Sequence, residues 1–136
     1  MAFAYCEYCY EDFKYKPSQS YGRYCSNKCQ HDANHHTLVL AYRLGLHPGT
    51  KSAKLQLSSF VKRDLWDCSG TACQRCGWDE KHPVDGRPLT QFDHIDGDAS
   101  NSRPWNLRIL CPNCHSMTPT FGARNKNSAR NPLSRV

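Results

Sequence analysis

The sequence lacks the long hydrophobic runs that a membrane protein or a large hydrophobic core requires. Only 38% of its 136 residues are hydrophobic, and the mean hydropathy is -0.76. No apolar run approaches the roughly 20 residues of a membrane span. The opening MAFAYCEYCY has neither the basic nor the apolar stretch of an export signal. We therefore expect a cytoplasmic protein without membrane contact, folded as one domain or as one domain with a small satellite.

Acidic residues are scarce outside the middle of the chain. Residues 1–66 contain nine Lys or Arg and five Asp or Glu, whereas residues 67–120 contain five and seven. Residues 121–136 contain four basic residues and no acidic one, and the whole chain has a net charge of +6. A metal-dependent site that acts on a phosphodiester backbone requires carboxylates for the cation and basic flanks for the phosphates, which fits this distribution. An ordinary excess of basic residues would give the same net charge.

Cysteine is abundant, and eight of the nine cysteines form two quartets with metal-ligand spacing. Because we expect no export signal, metal binding is favoured over a disulfide scaffold. The quartets are Cys73, Cys76, Cys111 and Cys114 (C-x2-C-x34-C-x2-C), and Cys6, Cys9, Cys25 and Cys29 (C-x2-C-x15-C-x3-C). Each C-x2-C pair directs two sulfurs to one ion, so two pairs complete a tetrahedral Zn²⁺ site with no open position. We predict two structural zinc ions per chain.

The N-terminal quartet leaves one alternative open, because three histidines follow it closely. His31, His35 or His36 is able to replace Cys29 as the fourth ligand. Cys68 has no partner at ligand spacing, so we expect it to be a small buried residue.

Turn residues and apolar patterns divide the chain into four segments. We predict an N-terminal zinc module at 1–47, a connector with a short helix at 48–66, a core at 67–120, and a basic tail at 121–136 without fixed structure of its own. The patterns indicate strands at 89–95 and 106–110 and helices at 38–46, 59–66 (capped by Ser58 or Ser59) and 112–117.

The stretch enclosed by the second quartet carries a specific motif. It reads FDHIDGD at 92–98, NL at 106–107 and CPNCH at 111–115. With the four flanking cysteines, these residues closely resemble the HNH family of ββα-metal nucleases over about residues 73–118. The N-terminal quartet and the tail look like those of stand-alone HNH proteins of phages and mobile elements. The resemblance implies a small α+β fold with a zinc-stapled ββα-metal core, acting as a DNA endonuclease or nickase in a bacterial or phage-infected cell.

Chemistry and resemblance together suggest the catalytic roles. A neutral imidazole near pH 7 is able to deprotonate water, which makes His94 the general base. The resemblance implies Asp93 and His115 as ligands of a divalent cation that stabilises the phosphorane and the leaving 3′ oxygen. We expect Mg²⁺ or Mn²⁺, although one carboxylate and one imidazole also accept Co²⁺ or Ni²⁺. We expect the three side chains to converge, because the strand end is able to twist where it enters the loop.

Three further polar residues of the motif have weaker assignments. Asn106 matches the central Asn of the family, and we favour a role in holding the loop over a contact with the catalytic metal. Asp96 and Asp98 rank lower as alternative metal ligands, since Asp-Gly-Asp is also a common turn.

The basic residues predict contacts with DNA, which we expect to be double-stranded. We expect phosphate contacts from Arg103, Arg108, Arg124, Lys126 and Arg130. One site per chain suits a nicking monomer, whereas a homodimer would cut both strands. The alternative function is that of a non-catalytic zinc-finger protein that binds nucleic acid, which has no need for the combination of Asp93, His94 and His115.

Tyrosines crowd the N-terminal module, and two interpretations are open. They either cover a core that is too small to bury larger apolar side chains or stack on bases, and we favour the first. The residues are Tyr5, Tyr8, Tyr10, Tyr15, Tyr21 and Tyr24.

Overall fold

The computed structural model of the chain describes residues 1–129. The chain divides into two compact units, of which unit 1 is Met1–Ala41 and unit 2 begins at Tyr42. Each unit contains one of the two cysteine quartets, and both mix short strands with helices. This architecture confirms the predicted fold class, a small α+β protein with two four-cysteine clusters.

Unit 1 begins with a two-stranded hairpin that exposes aromatic side chains. Strand β1 (Ala2–Tyr5) pairs antiparallel with β2 (Asp12–Tyr15). The side chains of Tyr5, Tyr10 and Tyr21 are 73%, 79% and 96% exposed. The prediction that the tyrosines cover a small core is therefore wrong for these three. The physical reason is that a two-stranded hairpin buries only one of its faces, so side chains on the other face stay in solvent. The fully buried side chain in this part of unit 1 is that of Cys6.

A long helix follows the hairpin. Helix α1 (Asn27–Arg43) begins after Ser26, whose hydroxyl oxygen accepts a hydrogen bond from the N–H of Cys29 at 3.1 Å. This contact caps the first turn of the helix. The helix predicted at 38–46 is the end of this longer element, and it stops at Arg43.

The core of unit 2 gathers residues from the end of α1 and from three later elements. A short hairpin joins β3 (Thr50–Lys51) to β4 (Gln56–Leu57), and helix α2 (Ser59–Ser69) follows directly. The buried residues of the main hydrophobic cluster of unit 2 are Tyr42, Leu57, Val61 and Leu107, with Phe60, Leu65 and Phe92 packed against them.

The helix predicted at 59–66 is present and extends to Ser69, and Ser58 precedes it without a side-chain capping bond.

The predicted strand, loop, strand and helix of unit 2 are all present, and both strands and the helix are shorter than expected. Strand β5 (Gln91–His94) pairs antiparallel with β6 (Leu107–Leu110), and helix α3 (Pro112–Ser116) follows. The second strand starts one residue late because Asn106 belongs to the 3-10 turn Pro104–Asn106. Pro112 opens α3, where its missing N–H leaves no hydrogen bond unmade.

Cys68 differs from its prediction. It is exposed near the end of α2, and its sulfur accepts a hydrogen bond from Nη2 of Arg43 at 3.1 Å. It lines a small cavity together with Tyr42, Val61 and Leu107, and this cavity is open enough to leave the cysteine exposed.

Membrane insertion finds no support in the helices. Across residues 1–129, no helix combines the length and the apolar content that crossing a bilayer requires.

We predict that Tyr42→Phe lowers the free energy of unfolding by about 1–2 kcal/mol at pH 7, because the buried Tyr42 hydroxyl donates a hydrogen bond to the carbonyl oxygen of Ser102. Burial, and then the negative charge of Asp64, raises the pKa of Tyr42 to about 12. The contribution of the neutral Tyr42 to stability is fully present below pH 10. Above pH 10 the tyrosine of the unfolded chain ionises first, so this contribution decreases and is lost as the pH approaches 12.

Urea unfolding of both proteins between pH 7 and pH 12 measures this effect. The difference in stability between wild type and Tyr42→Phe should narrow above pH 10, while the exposed control Tyr21→Phe should match wild type. A constant difference across that range would contradict the assignment.

Candidate functional site

The β5–β6 hairpin places a carboxylate beside a guanidinium. Asp93 of β5 lies directly opposite Arg108 of β6 in the antiparallel register. The Nε atom of Arg108 donates to Oδ2 of Asp93 at 2.7 Å. Asp93 is 5% exposed, so the ion pair compensates for the removal of this charge from water.

Helix α3 brings an imidazole to the other oxygen of the same carboxylate. The Nε2 atom of His115 lies 3.4 Å from Oδ1 of Asp93. The Nδ1 atom of His115 lies 2.7 Å from Oε1 of Gln91, and the ring of Phe121 contacts the imidazole edge-on at 5.1 Å between centroids. His115 is therefore oriented by a hydrogen bond on one side and an aromatic ring on another.

The donor set of Asp93 and His115 fits a divalent cation. The amide oxygen of Gln91 accepts hydrogen bonds, so Nδ1 of His115 is the nitrogen that carries the proton and donates it. The lone pair of the ring is then on Nε2. That lone pair faces a carboxylate oxygen, an arrangement that a cation between the two atoms stabilises. Two ligand atoms about 2.1 Å from one ion are about 3.0–3.4 Å apart at octahedral or tetrahedral angles, and the observed distance is 3.4 Å.

The side chain of His94 contacts the loop that joins the two strands. Its Nε2 atom lies 2.8 Å from Oγ of Ser102. Ser102 is 1% exposed, and its hydroxyl donates to the carbonyl oxygen of Ala99 at 3.4 Å. With that proton used, the serine oxygen accepts from Nε2–H of His94. This tautomer places the basic lone pair of His94 on Nδ1.

The structure thus brings together two of the three residues predicted to converge. Asp93 and His115 are in contact, whereas His94, the next residue of the strand, directs Nε2 towards Ser102. The alternation of side chains along a strand accounts for this difference, because neighbouring residues leave opposite faces.

Asn106 organises the loop between the strands. Its side chain is 6% exposed. Its amide nitrogen donates to Oδ1 of Asp96 at 2.9 Å and to the carbonyl oxygen of Asn101 at 2.6 Å. Its oxygen accepts from the N–H of Asp96 at 3.2 Å. These contacts are those of a residue that holds the loop.

The carboxylate of Asp96 is occupied by bonds within the loop. Burial opposes its ionisation, yet hydrogen bonds from the Asp98 N–H, Asn106 and Asn101 outweigh burial and lower the pKa of Asp96. Asp98 likewise accepts from the N–H and hydroxyl of Ser100, at 2.9 and 2.6 Å. Both aspartates therefore act as acceptors inside the turn.

The beginning of the tail is attached to this loop, although the sequence predicts no fixed structure there. The side-chain amide of Asn125 donates to the carbonyl oxygen of Gly97 at 2.7 Å, and that of Asn127 donates to the carbonyl oxygen of Asp96 at 2.9 Å. Gly97 has φ 77°, and a Cβ there would lie 2.5 Å from Oδ1 of Asn125. The close approach of tail and loop therefore requires glycine at position 97.

The residues predicted to contact DNA differ in their surroundings. Arg124 and Lys126 are exposed on the attached part of the tail, and Arg103 is half-buried beside the 3-10 turn. Arg108 is engaged with Asp93, and its side chain remains 32% exposed. Arg130 lies outside the described residues.

The second quartet has the geometry of a single metal site. One ligand atom from each of its four cysteines lies within 4.8 Å of all the others. The sulfurs of Cys76 and Cys111 are 3.7 Å apart, and sulfurs bound tetrahedrally at about 2.3 Å from one Zn²⁺ are about 3.8 Å apart. The N–H of Cys114 points to the sulfur of Cys111 at 3.3 Å.

Ionisation of the second quartet also favours a bound cation. Burial opposes ionisation of Cys73, yet backbone hydrogen bonds with Cys111, Cys76 and Arg75 lower its pKa to about 6. Burial, and then the neighbouring thiols, raises the pKa of Cys114 to about 12. Four sulfurs at this spacing all become thiolates when a cation balances their charge.

The first quartet repeats this arrangement. The sulfurs of Cys9 and Cys25 are 3.6 Å apart, and those of Cys25 and Cys29 are 3.5 Å apart. Burial opposes ionisation of Cys6, but backbone hydrogen bonds, led by that with Cys9, lower its pKa to about 6. Among residues 1–129, the cluster that is able to hold a metal here consists of the four cysteines, without the three histidines proposed as alternatives.

Sequence reasoning missed the residues that orient the site. Gln91, Ser102 and Arg108 contact His115, His94 and Asp93 respectively. Of these, the pairing of Arg108 with Asp93 had a signal in the sequence. The two predicted strands follow each other along the chain, and the two residues have opposite charges at positions that face each other when the strands pair. The contacts of Gln91 and Ser102 depend on the tertiary arrangement.

The comparisons with known proteins agree with the motif. Residues 73–119 match the family described as HNH endonuclease, which confirms the domain recognised over about 73–118. The H-N-H endonuclease F-TflIV of Escherichia phage T5 is 43% identical over 56 residues. That match covers 39% of this chain and 22% of the phage protein, so the chain spans about a fifth of this relative. No solved structure matches the chain significantly.

We predict that Asn106→Ala destabilises unit 2 by about 2 kcal/mol or more, because it leaves the buried polar groups of Asp96 and Asn101 without their partner. Urea unfolding of the metal-loaded protein measures the loss. The matched control is Asn113→Ala, which removes an exposed asparagine and should change stability by less than about 0.5 kcal/mol. Equal stability of the two variants would show that Asn106 does not hold the loop.

Proposed function

We propose that this protein is a metal-dependent DNA endonuclease or nickase that hydrolyses phosphodiester bonds. The observation that carries the proposal is the buried carboxylate of Asp93 in contact with His115, with His94 next along the strand. These residues lie within the segment that matches the HNH endonuclease family. The T5 relative is itself described as an H-N-H endonuclease.

Asp93 and His115 are the residues that would hold the catalytic cation. Oδ1 of Asp93 and Nε2 of His115 face each other at 3.4 Å, and a carboxylate with an imidazole accepts Mg²⁺, Mn²⁺, Co²⁺ or Ni²⁺. When bound, such a cation supplies Lewis-acid stabilisation of the charge on the phosphate and on the leaving 3′ oxygen. Gln91 supports the site by keeping the proton of His115 on Nδ1, away from the ligand atom.

Arg108 has a positioning role in this proposal. By binding Oδ2 of Asp93 it holds the carboxylate so that Oδ1 faces His115. The ion pair therefore fixes the rotamer of the ligand carboxylate.

His94 is the proposed general base. In the tautomer in which Nε2–H donates to Ser102, Nδ1 is the basic nitrogen that would accept a proton from water. Ser102 is itself held by Tyr42, so the imidazole is anchored through the loop to the hydrophobic core. Asn106 contributes by keeping the loop closed.

The metal proposed for both quartets is Zn²⁺. Four thiolates are soft ligands, and their near-tetrahedral spacing fits zinc with no open position for chemistry. The second zinc would join Cys73 and Cys76 to Cys111 and Cys114, and His115 directly follows the last of these. The ion would thus fix the helix that presents His115 to Asp93.

DNA is the proposed substrate, in double-stranded form, with the protein acting as a monomer or homodimer in the cytoplasm of a bacterial or phage-infected cell. The exposed Arg124 and Lys126 support this choice, because the tail that carries them is attached to the loop beside His94. Arg103, Arg108 and Arg130 are further proposed phosphate contacts, and such contacts provide affinity that weakens with added salt.

We predict that His94→Ala lowers the rate of plasmid nicking by about 100-fold or more, because the general base is removed, while the protein still folds and binds DNA. Conversion of supercoiled plasmid to the nicked form in Mg²⁺ or Mn²⁺ measures the rate. His82→Ala removes an exposed histidine elsewhere and should cut like wild type. Unfolding of His94→Ala would assign His94 a structural role, and a wild-type protein that binds plasmid without cutting it would favour the zinc-finger alternative.

We predict two zinc ions per wild-type chain, one in Cys111→Ser and two in Cys68→Ser. Cys111→Ser removes a buried ligand of the second quartet and should unfold that part of unit 2, because zinc binding supplies folding free energy. Cys68→Ser changes an exposed cysteine outside both quartets. Metal analysis by mass spectrometry, with circular dichroism of the same samples, provides both measurements. Full zinc content in Cys111→Ser would contradict the assigned ligand set.

A further inference from the structure

Unit 1 contains a groove of about 620 Å³ that the proposed nuclease site does not use. The groove runs between β2 and the segment that leads to α1. Its walls combine aromatic and basic side chains, and no Asp or Glu lines it among the described residues. These side chains are Phe13, Tyr15, Tyr21 and Tyr24, with Lys16 and Arg23.

The aromatic side chains of the groove differ in how firmly they are held. The ring of Tyr15 lies against the backbone of Gly22, where φ is 70° and a Cβ would approach the ring to 2.5 Å. Phe13 packs beside Tyr15 with 5.9 Å between ring centroids. These two rings form a fixed wall, whereas Tyr21 stands 96% exposed at the rim. A tyrosine in this position covers no core and offers its face to a ligand.

The charges of the groove suit an anionic ligand. The ammonium group of Lys14 lies over the ring of Phe3 at 5.2 Å, on the face of the hairpin opposite Phe13 and Tyr15, so its charge lies outside the groove. Arg23 lies over the ring of Tyr24 at 5.4 Å and also binds Glu7 at 2.8 Å. Lys16 therefore supplies most of the uncompensated positive charge of the groove. Faces for stacking and cations for phosphates, in one groove without acidic residues, are the features of sites that bind single-stranded nucleic acids.

We propose that this groove binds unpaired nucleotides of single-stranded DNA, with a base stacked on Tyr21 and a phosphate at Lys16. The choice of DNA rests on the proposed function, whereas the groove itself belongs to unit 1 and its binding does not require cleavage. An acidic peptide would use the basic side chains without the aromatic faces, and an apolar partner would use the rings without the basic side chains.

Fluorescence anisotropy tests the proposal with the full-length, zinc-loaded protein and no added Mg²⁺ or Mn²⁺. The probe is a labelled oligothymidylate of about 12 nucleotides, within the site sizes known for single-strand binding proteins. Tyr21→Ala should weaken binding by about fivefold or more. Tyr5→Ala removes another exposed aromatic side chain, outside the groove, and should bind like wild type.

Two further measurements separate stacking from simple charge attraction. Lys16→Ala should reduce the slope of log affinity against log salt by about 0.7, since each phosphate contact contributes about 0.7 for a single strand. An abasic oligonucleotide of the same length should bind wild type more weakly than oligothymidylate and should not distinguish Tyr21→Ala from wild type.

The proposal is overturned if Tyr21→Ala binds oligothymidylate as tightly as wild type, or if the abasic strand binds equally well. Its failure is distinct from failure of the proposed function, which is measured separately as plasmid nicking. Loss of oligonucleotide binding in Tyr21→Ala supports the groove even where plasmid nicking is absent. Plasmid nicking by a protein that binds no oligothymidylate would refute the groove alone.

Discussion

The second cysteine quartet is the constraint on which the arrangement of unit 2 depends. Its four sulfurs lie close enough to share one ion, although Cys76 and Cys111 are separated by 34 residues in the sequence. One strand, the loop and the second strand lie between these two points, and α3 begins directly after Cys111. Because Cys114 and His115 are neighbours on that helix, the cluster that gathers the sulfurs also sets the position of the imidazole beside Asp93. In so small a unit, with four buried residues in its main hydrophobic cluster, a bound ion would contribute what packing does not.

The site is organised as pairs of contacts, in which one atom of a side chain is fixed so that another atom faces a defined direction. Asp93 uses one oxygen for Arg108 and turns the other to His115. His115 uses Nδ1 for Gln91, and His94 uses Nε2 for Ser102. Rotamers and tautomers are therefore determined before any substrate arrives, which is the form of preorganisation that polar catalysis requires.

Spacing in the sequence was sufficient to predict both quartets and the strand-loop-strand-helix order, because two residues between ligands form a knuckle and apolar patterns mark the elements. The joint role of Asp93 and His115 was implied by the resemblance to the HNH family, with the added rule that successive helical residues point about 100° apart. The position of the His94 side chain, the exposure of Cys68 and the attachment of Asn125 depend on tertiary contacts, for which the sequence has no short-range signal. The tyrosines were misjudged because composition does not indicate how little surface a two-stranded hairpin is able to bury.

The attachment of the tail has a consequence for how the loop at 96–101 is able to vary. Asn125 and Asn127 bind carbonyl oxygens of the main chain at Gly97 and Asp96, and every amino acid supplies such an oxygen. These two hydrogen bonds therefore do not depend on the side chains of the loop, apart from the glycine that leaves room for Asn125. A change of the exposed Ser100 side chain would therefore leave both bonds to the tail in place while it alters the surface offered to a substrate.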